Sequence, residues 1–191
     1  MEIKERLIRP WSQPSGIAGR IAGWEMAIGK DPLNELVAEL LNLAGHEDVL
    51  EVGFGPGTTI TRLAEATSGR VAGADPSPAM LAQALARNAD AARSGRVDLR
   101  LAPAERLPFP DAEFDCAVAC NTVGHWRSVA DGLAEIARVV RPGGQVLLII
   151  RADAGCIVKL LVDAGFGDVR TSKPLVGRRR VSAIQARRRA P

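Results

Sequence analysis

Cysteine is scarce in this sequence and does not form a recognisable pattern. The three cysteines, Cys116, Cys120 and Cys156, are an odd number and lack C-x-x-C spacing. This argues against a disulfide framework and favours a reducing, cytoplasmic location. Cys116 and Cys120 fall on one face of a predicted strand, where small buried side chains are favoured over metal ligands. We therefore expect no metal site.

Long apolar runs are also missing. The longest, such as residues 146–150, fall far short of the roughly 20 residues that a membrane-spanning helix needs, and we expect no transmembrane segment. The first residues carry charges in place of the apolar core of a signal peptide. With 191 residues, 47% hydrophobic and 25% charged, the chain is long enough for one ordinary globular domain with its own core.

Acidic residues are absent from the C-terminal part of the sequence. The net charge is only +3, yet all 22 acidic residues precede Arg170, while eight basic residues lie from that position onward. Such a tail can hold an anionic partner, such as RNA or acidic lipid headgroups. No aromatic residues are interleaved with these arginines, so a solvated hairpin and terminus is the favoured interpretation.

Apolar segments and turn residues alternate in a way that predicts one α/β domain at residues 31–191. Residues 1–30 are expected to form an N-terminal cap or lid segment. A helix is predicted to begin at Asp31 and Pro32, a capping residue and a first-turn proline, and to end at Gly45. Strand–helix alternation then predicts parallel strands joined by helical crossovers. Strands are expected at about 48–54, 70–75, 97–102, 114–120, 145–151, 168–174 and 180–187, and helices at about 58–67, 77–92, 128–140 and 156–164.

A glycine-rich turn follows the first predicted strand. Gly53, Gly55 and Gly57 separate the apolar run ending at Val52 from a helix expected to begin at Thr58. A tight turn alone can require such glycines, but they also let the backbone approach a ligand closely. In open doubly wound sheets, ligands bind outside the carboxyl ends of the strands. The turn therefore predicts a nucleoside-binding crevice.

Two carboxylates select among nucleoside cofactors. The spacing is G-x-G-x-G, and Thr58 stands where the third glycine of the dinucleotide fingerprint would fall. Glu51 would lie near the pocket floor, where it would repel a pyrophosphate but suit an ammonium or sulfonium group. Asp75 ends the second predicted strand, 18 residues after Gly57, at about the separation expected for a ribose-binding acid. These residues favour S-adenosylmethionine over NAD.

Four ordered blocks between about residues 48 and 150 resemble those of the class I S-adenosylmethionine-dependent methyltransferases with a methyltransferase type 11-like domain. Besides the glycine turn and Asp75, residues 107–115 (LPFPDAEFD) and 133–144 (LAEIARVVRPGG) are similar to the segments before the family's fourth and fifth strands. The resemblance implies S-adenosyl-L-methionine as cofactor. It also implies a Rossmann-like, doubly wound seven-stranded sheet, mostly parallel with an antiparallel last strand and helices on both faces.

The resemblance also implies a set of cofactor contacts. Where the family reads G-D-A-E after the third strand, this sequence has Pro103 in place of the aspartate, which removes both a carboxylate and an N–H. Either Glu105 takes over the adenine contact, or the adenine is held by shape and the Ala104 N–H. The implied cofactor-binding residues are Glu51, Gly53, Gly55, Gly57, Asp75, Pro76, Ala104, Glu105 and Asn121.

Two polar residues follow the fourth predicted strand, which in the family faces the transferring methyl group. Asn121 is expected to hydrogen-bond the cofactor or the acceptor. His125 is placed to take a proton from an acceptor hydroxyl or amine, although a helix-capping or surface role is equally compatible with the sequence. Trp126 is a candidate to line an apolar acceptor pocket or to pack in the core.

The function predicted from these residues is methyl transfer to a small-molecule acceptor by in-line displacement. A sulfonium leaving group is already activated, so such an enzyme mainly aligns and desolvates its reactants. The sequence contains no tyrosine, and hence no N-P-P-Y segment of the amino methyltransferases. Two alternatives stay open. One is methylation of a phospholipid headgroup or an RNA through the basic tail, and the other is a cofactor-binding protein without turnover.

Overall fold

Strands and helices alternate along the residues that the computed structural model describes, 32–151 and 153–190. The strands are β1 (Val49–Val52), β2 (Val71–Asp75), β3 (Val97–Leu101), β4 (Phe114–Cys120), β5 (Val140–Ile150), β6 (Phe166–Ser172), β7 (Leu175–Val176), β8 (Arg179–Arg180) and β9 (Ser182–Arg188). The helices are α1 (Pro32–Leu41), α2 (Thr58–Ala66), α3 (Pro78–Arg87), α4 (Ala89–Arg93), α5 (Val129–Val139) and α6 (Gly155–Asp163), with a 3-10 turn at Val123–His125.

Seven strands form one sheet in the order β3-β2-β1-β4-β5-β9-β6. The neighbours from β3 to β5 pair in parallel, and β9 runs antiparallel to both β5 and β6. The predicted doubly wound sheet with an antiparallel last strand is therefore confirmed. The chain order reverses between β1 and β4, and ligands bind in open α/β sheets at such a switch point, beyond the carboxyl ends of the strands.

Helices cover both faces of the sheet and create two apolar layers. Because central parallel strands are buried on both faces, they are expected to read as continuous apolar runs, and all four residues of β1 are buried. One layer includes Leu133 and Ile136 of α5 with Ile157 and Leu161 of α6. The other includes Val37 and Leu41 of α1, Ile60 and Leu63 of α2, and Ala84 of α3.

The helix expected over residues 77–92 is two helices, so that prediction was wrong in its continuity. Helix α3 ends at Arg87, and α4 starts at Ala89. Asn88 between them has φ −107° and ψ 29°, outside the helical region. Its buried side-chain amide donates hydrogen bonds to the carbonyls of Ala84 and Gly57, at 2.9 Å and 3.1 Å. The break lets one side chain reach the glycine turn.

The C-terminal part differs from the sequence-based expectation only in detail. The strands expected at 168–174 and 180–187 are β6 and β9, and the short β7–β8 hairpin lies between them. Strand β5 begins at Val140, earlier than expected, and has a register shift opposite Phe114 and Cys116. No helix within the described ranges is long and apolar enough to cross a bilayer. The predicted cap or lid, residues 1–30, lies outside the described residues.

Candidate cofactor and acceptor site

The glycine turn connects the end of β1 to the start of α2. Gly53, Gly55 and Gly57 have φ values of 81°, 51° and 79°, in a region that residues other than glycine rarely adopt. A Cβ on Gly57 would lie 2.7 Å from the Ala84 Cβ, and one on Gly53 would overlap the Thr122 side chain. Space beside Gly55 is open. Packing therefore requires two of the glycines, while the third leaves its backbone open to a ligand.

Two side chains at the junction of α3 and α4 donate hydrogen bonds to backbone carbonyl groups of the glycine turn. The Asn88 amide donates to the Gly57 carbonyl, and Arg87 Nε donates to the Pro56 carbonyl at 3.1 Å. Thr61 Oγ1 donates to Asn88 Oδ1 at 2.8 Å. Reasoning from sequence missed Asn88 and Arg87. The available signal was an asparagine, a weak helix former, inside a long helical pattern.

Asp75 ends β2 beside this turn, where the sequence predicted a ribose-binding acid. Its Oδ2 accepts a hydrogen bond from the Gly55 N–H and its Oδ1 accepts one from the Ser77 N–H, each at 2.9 Å. Burial raises the pKa of this carboxyl, and the two backbone N–H groups oppose the rise. Each carboxylate oxygen has a further lone pair, so the group can also accept bonds from hydroxyls. Pro76 follows and is exposed at the edge.

Glu51 lies in β1 and is only 2% exposed. Burial raises the pKa of this carboxyl to about 8, a hydrogen bond with Thr59 opposes the rise, and the negative charge of Asp75 adds to it. Among the described residues, Oε2 of Glu51 has no hydrogen-bond partner. A buried oxygen of this kind calls for a donor or a cation. The floor of the crevice therefore suits an ammonium group and disfavours a phosphate.

Asn121 follows β4, the strand next to β1. Its φ is 55°, a left-handed conformation that asparagine tolerates better than most residues. The backbone N–H donates to the Ile149 carbonyl at 2.8 Å. Its side-chain Oδ1 is buried and has no partner within the described ranges. Glu51 in β1 and Asn121 just after β4 thus each carry a buried oxygen without a partner among the described residues, close to the switch point.

The residues after Asn121 separate into an exposed and a buried position. His125 ends the 3-10 turn and is exposed. Trp126 is only 9% exposed and belongs to the core with α5. Its Nε1 donates to Thr122 Oγ1 at 3.3 Å, and its ring leaves no room for a side chain at Gly132. Of its two predicted roles, the structure gives Trp126 the one in the core.

Ala104 and Glu105 follow β3 close to Asp75. The Ala102 N–H donates to the Asp75 carbonyl at 3.1 Å, and Ala104 is buried. Oε1 of Glu105 accepts from the backbone N–H groups of Arg127 and Ser128, at 2.5 Å and 3.1 Å. These bonds tie the carboxylate to the start of α5. They favour Ala104 over Glu105 as the candidate adenine contact.

The cysteines of β4 belong to the interior. Cys116 is buried, and Cys120 packs against the same apolar layer. Burial raises the pKa of the Cys116 thiol to about 12, which keeps it protonated. Within the described part of the chain, no three His, Cys, Asp or Glu side chains are grouped so that they could hold a metal ion.

A sequence profile of the methyltransferase domain family matches residues 50–148, from the middle of β1 into β5. The match covers more than half of the chain and includes the glycine turn, Asp75 and Asn121. The chain belongs to this methyltransferase family. The cofactor of this class I family with a Rossmann-like fold is S-adenosylmethionine. The unpartnered oxygen of Glu51 fits the ammonium group of that cofactor.

Two curated relatives are methyltransferases of different chemistry. The O-methyltransferase resE of Aspergillus sclerotiorum is 30% identical over 132 residues, covering 69% of this chain and 50% of the relative. The ubiquinone/menaquinone biosynthesis C-methyltransferase UbiE of Geobacter sp. strain M21 is 33% identical over 114 residues, covering 57% of this chain and 47% of the relative. The chain thus spans about half the length of these curated relatives.

A solved structure shares the fold at low sequence identity. Phosphoethanolamine N-methyltransferase 2 of Haemonchus contortus, in complex with S-adenosyl-L-methionine, superposes with a TM-score of 0.78 at 15% identity. The match covers 93% of this chain and 59% of that one. By their names, these three proteins methylate oxygen, carbon and nitrogen. Similarity therefore establishes the family and the fold, and it leaves the acceptor atom open.

Proposed function

We propose that this methyltransferase transfers the methyl group of S-adenosylmethionine to a small-molecule acceptor by in-line displacement. The observation that carries the proposal is the pair of buried carboxylates, Glu51 and Asp75, beside the glycine turn at the switch point of the sheet. A floor that carries two acids suits a cationic nucleoside. The names of the O- and C-methyltransferase relatives support a small-molecule acceptor.

The cofactor contacts follow from this proposal. Glu51 accepts from the ammonium group of the amino-acid part, which approaches the open backbone at Gly55. Asp75 accepts from the ribose hydroxyls through the lone pairs that its two backbone N–H partners leave. Pro76 and Ala104 flank the adenine ring. Gly53 and Gly57 shape the turn, and Glu105 contributes indirectly by holding the start of α5.

Bound S-adenosylmethionine supplies an electrophilic methyl group on a positively charged sulfur, which is already activated for displacement. The protein then orients the reactants and excludes water, and proximity alone contributes about 7–11 kcal/mol in favourable cases. Asn121 accepts a hydrogen bond from the acceptor or the cofactor; its Oδ1, which has no partner among the described residues, supports this role. His125 is the proposed base for an acceptor that must lose a proton.

Calorimetric titration with S-adenosylhomocysteine tests the cofactor site, with NAD titrated in parallel. We expect micromolar binding of S-adenosylhomocysteine and none of NAD. Asp75→Ala should abolish the binding, because it removes the ribose acceptor and the Gly55 contact. Asp90→Ala is the matched control, since Asp90 lies in α4 with a side chain 95% exposed. Binding of NAD would contradict the proposal that Glu51 excludes a pyrophosphate and accepts an ammonium group. Cofactor binding without turnover in an acceptor screen would favour a non-catalytic binding protein.

A second candidate is methylation of a phospholipid headgroup or an RNA. It draws on the basic residues that the β7–β8 hairpin brings to the cofactor edge of the sheet, Lys173, Arg178, Arg179 and Arg180. The other basic residues of the tail, Arg187 to Arg189, lie at the opposite end of β9. This division speaks against one continuous RNA-binding surface along the tail.

A further inference from the structure

An open recess of about 300 Å³ lies at the same edge of the sheet as the glycine turn, beyond β5. It forms where β5 and β6 end and β9 begins, because Ile150 pairs with Ser182 and Ser172 pairs with Ala183. Asp153 and Ala154, just before α6, close one side. We call it the β6 recess. Its polar lining consists of Asp153, Gly155, Thr171, Ser172, Lys173 and Ser182.

The recess and its rim carry positive charge. Lys173 lines the recess, and Arg180 adjoins it, since Arg180 Nη1 donates to the Lys173 carbonyl at 3.2 Å. Arg178 and Arg179 lie on the same hairpin. Within the described ranges, none of these four side chains forms an ion pair. Asp153 is the acid of the lining, and its Oδ2 accepts from the Gly155 N–H at 3.2 Å.

The arginines at the far end of β9 serve the fold instead. Arg187 Nη1 donates to the Gly143 carbonyl at 2.9 Å. Arg188 Nη1 donates to the Val140 carbonyl and reaches the Arg138 carbonyl, so it satisfies the end of α5. Arg187 and Arg188 thus bond to backbone carbonyls of the sheet and of α5, whereas the basic side chains of the β7–β8 hairpin and of the recess lie at the other end of β9.

Sheet geometry sets the distance from the recess to the methyl-transfer edge. Asn121 follows β4, and the order continues β5, β9, β6. With about 4.8 Å between neighbouring strands, β9 lies roughly 10 Å and β6 roughly 14 Å from β4. A molecule that reaches from Asn121 into the recess therefore places its two ends about that far apart.

We propose that the β6 recess binds a phosphate or carboxylate group of the acceptor, roughly 10–14 Å from the atom that is methylated. The inference rests on the proposed function, because it assigns the acceptor of the same site. Lys173 and Arg180 supply the charge, and a hydroxyl of the lining, that of Thr171 or Ser172, supplies a neutral donor. Charge-assisted bonds to an oxyanion are about twice as strong as neutral ones. The acceptor is therefore an elongated anion rather than a compact neutral molecule.

Titration with inorganic phosphate tests the recess by the backbone amide shifts of the 15N-labelled protein, against potassium chloride of matched ionic strength. We expect shifts at Gly155, Ser172 and Lys173. Lys173→Met and Arg180→Gln should each weaken the binding about tenfold, the scale of one charge-assisted hydrogen bond. Lys159→Met is the matched control, because that exposed lysine on α6 pairs with Asp163 outside the recess.

The outcomes separate the inference from the proposed function. Equal weakening by Lys159→Met, or shifts spread over Arg187 to Arg189, would overturn the inference. The Lys173 and Arg180 variants should keep the affinity for S-adenosylhomocysteine. Failure of the unsubstituted protein to bind S-adenosylhomocysteine would instead defeat the proposed function, whatever phosphate does.

Lipid vesicles identify the source of the anionic group. Co-sedimentation with phosphatidylglycerol vesicles but not with phosphatidylcholine vesicles, abolished by Lys173→Met, would assign the group to a lipid headgroup. Phosphate shifts without vesicle binding would assign it to a water-soluble acceptor. Absence of both would overturn the inference.

Discussion

Among single residues, Glu51 carries the strongest conflict between burial and charge. A carboxylate inside a central strand loses its hydration, and no described residue supplies a partner for its Oε2. The raised pKa follows from this desolvation. Groups whose pKa is strongly shifted by burial cluster at functional sites. The same residue that marks the crevice should therefore also make the free protein sensitive to pH.

Glu51→Gln should remove that sensitivity. The folded pKa of about 8 lies above the ordinary value of 4.5, so between these values the unfolded chain releases a proton that the folded protein keeps. Stability from this group is present below pH 4.5 and falls as the pH rises toward 8, by up to about 1.4 kcal/mol per pH unit. Urea unfolding at pH 5 and pH 8 should show a larger loss for the unsubstituted protein than for Glu51→Gln. Parallel losses would contradict the prediction, and Asp90→Asn serves as an exposed control.

The glycine turn and the α3–α4 junction act as one unit at the scale of elements. The turn needs positive φ at three positions, and the junction fixes its carbonyls through Asn88 and Arg87. Gly57 faces Ala84 of α3 at close range, whereas Gly55 faces open space. The two glycines therefore share a conformational requirement but differ in packing.

Alanine substitutions should separate these two requirements. Gly55→Ala should lower the free energy of unfolding by about 1–2 kcal/mol, the cost of a left-handed alanine. Gly57→Ala should lower it by a further 1–3 kcal/mol or so, because its Cβ would press α3 away from the turn. Denaturant unfolding of both variants gives the comparison. Equal losses of unfolding free energy in the two variants would mean that α3 moves aside without strain. Gly95→Ala is the control, because Gly95 also has positive φ and faces open space.

At the scale of the molecule, the last strand is internal to the sheet. Strand β9 lies between β5 and β6 and pairs with both over most of its length. The basic C-terminal segment is thus part of the core framework and not an appendage. The β7–β8 hairpin lies at the end of the sheet where the cofactor is proposed to bind. At the other end of β9, Arg188 bonds to the Arg138 carbonyl and ties α5 to the sheet.

Truncation after Gly177 should abolish cooperative folding. The deletion removes β9 with its buried side chains Val181, Ala183 and Ile184, which would leave the inner edges of β5 and β6 unpaired and the apolar residues around them exposed. Loss of the thermal transition followed by circular dichroism is the expected result. A truncated protein that keeps its transition would show that β9 is dispensable. Substitution of all three hairpin arginines, Arg178 to Arg180, by glutamine is the control and should leave the transition intact.

Local patterns were enough to predict much of this protein. Alternating apolar segments predicted the strands, and the spacing of Glu51, the glycines and Asp75 predicted their meeting at one edge. Periodicity could not predict the break at Asn88, because a long-range bond to the Gly57 carbonyl overrides the helical pattern. It also could not assign Glu105, whose partners lie at the start of α5.

The sequence by itself determined the alternation of strands and helices and the family, and it predicted the residues of the cofactor crevice, since these depend on residue order and on local backbone preference. Only the tertiary structure decided which buried polar atoms lack partners and how the basic tail divides. An antiparallel β9 carries Arg187 to Arg189 to the far end of the strands and leaves Lys173 and Arg180 beside the β6 recess. Basic residues that are close in sequence thus lie at opposite ends of the strands, because the seven residues of β9 run between them.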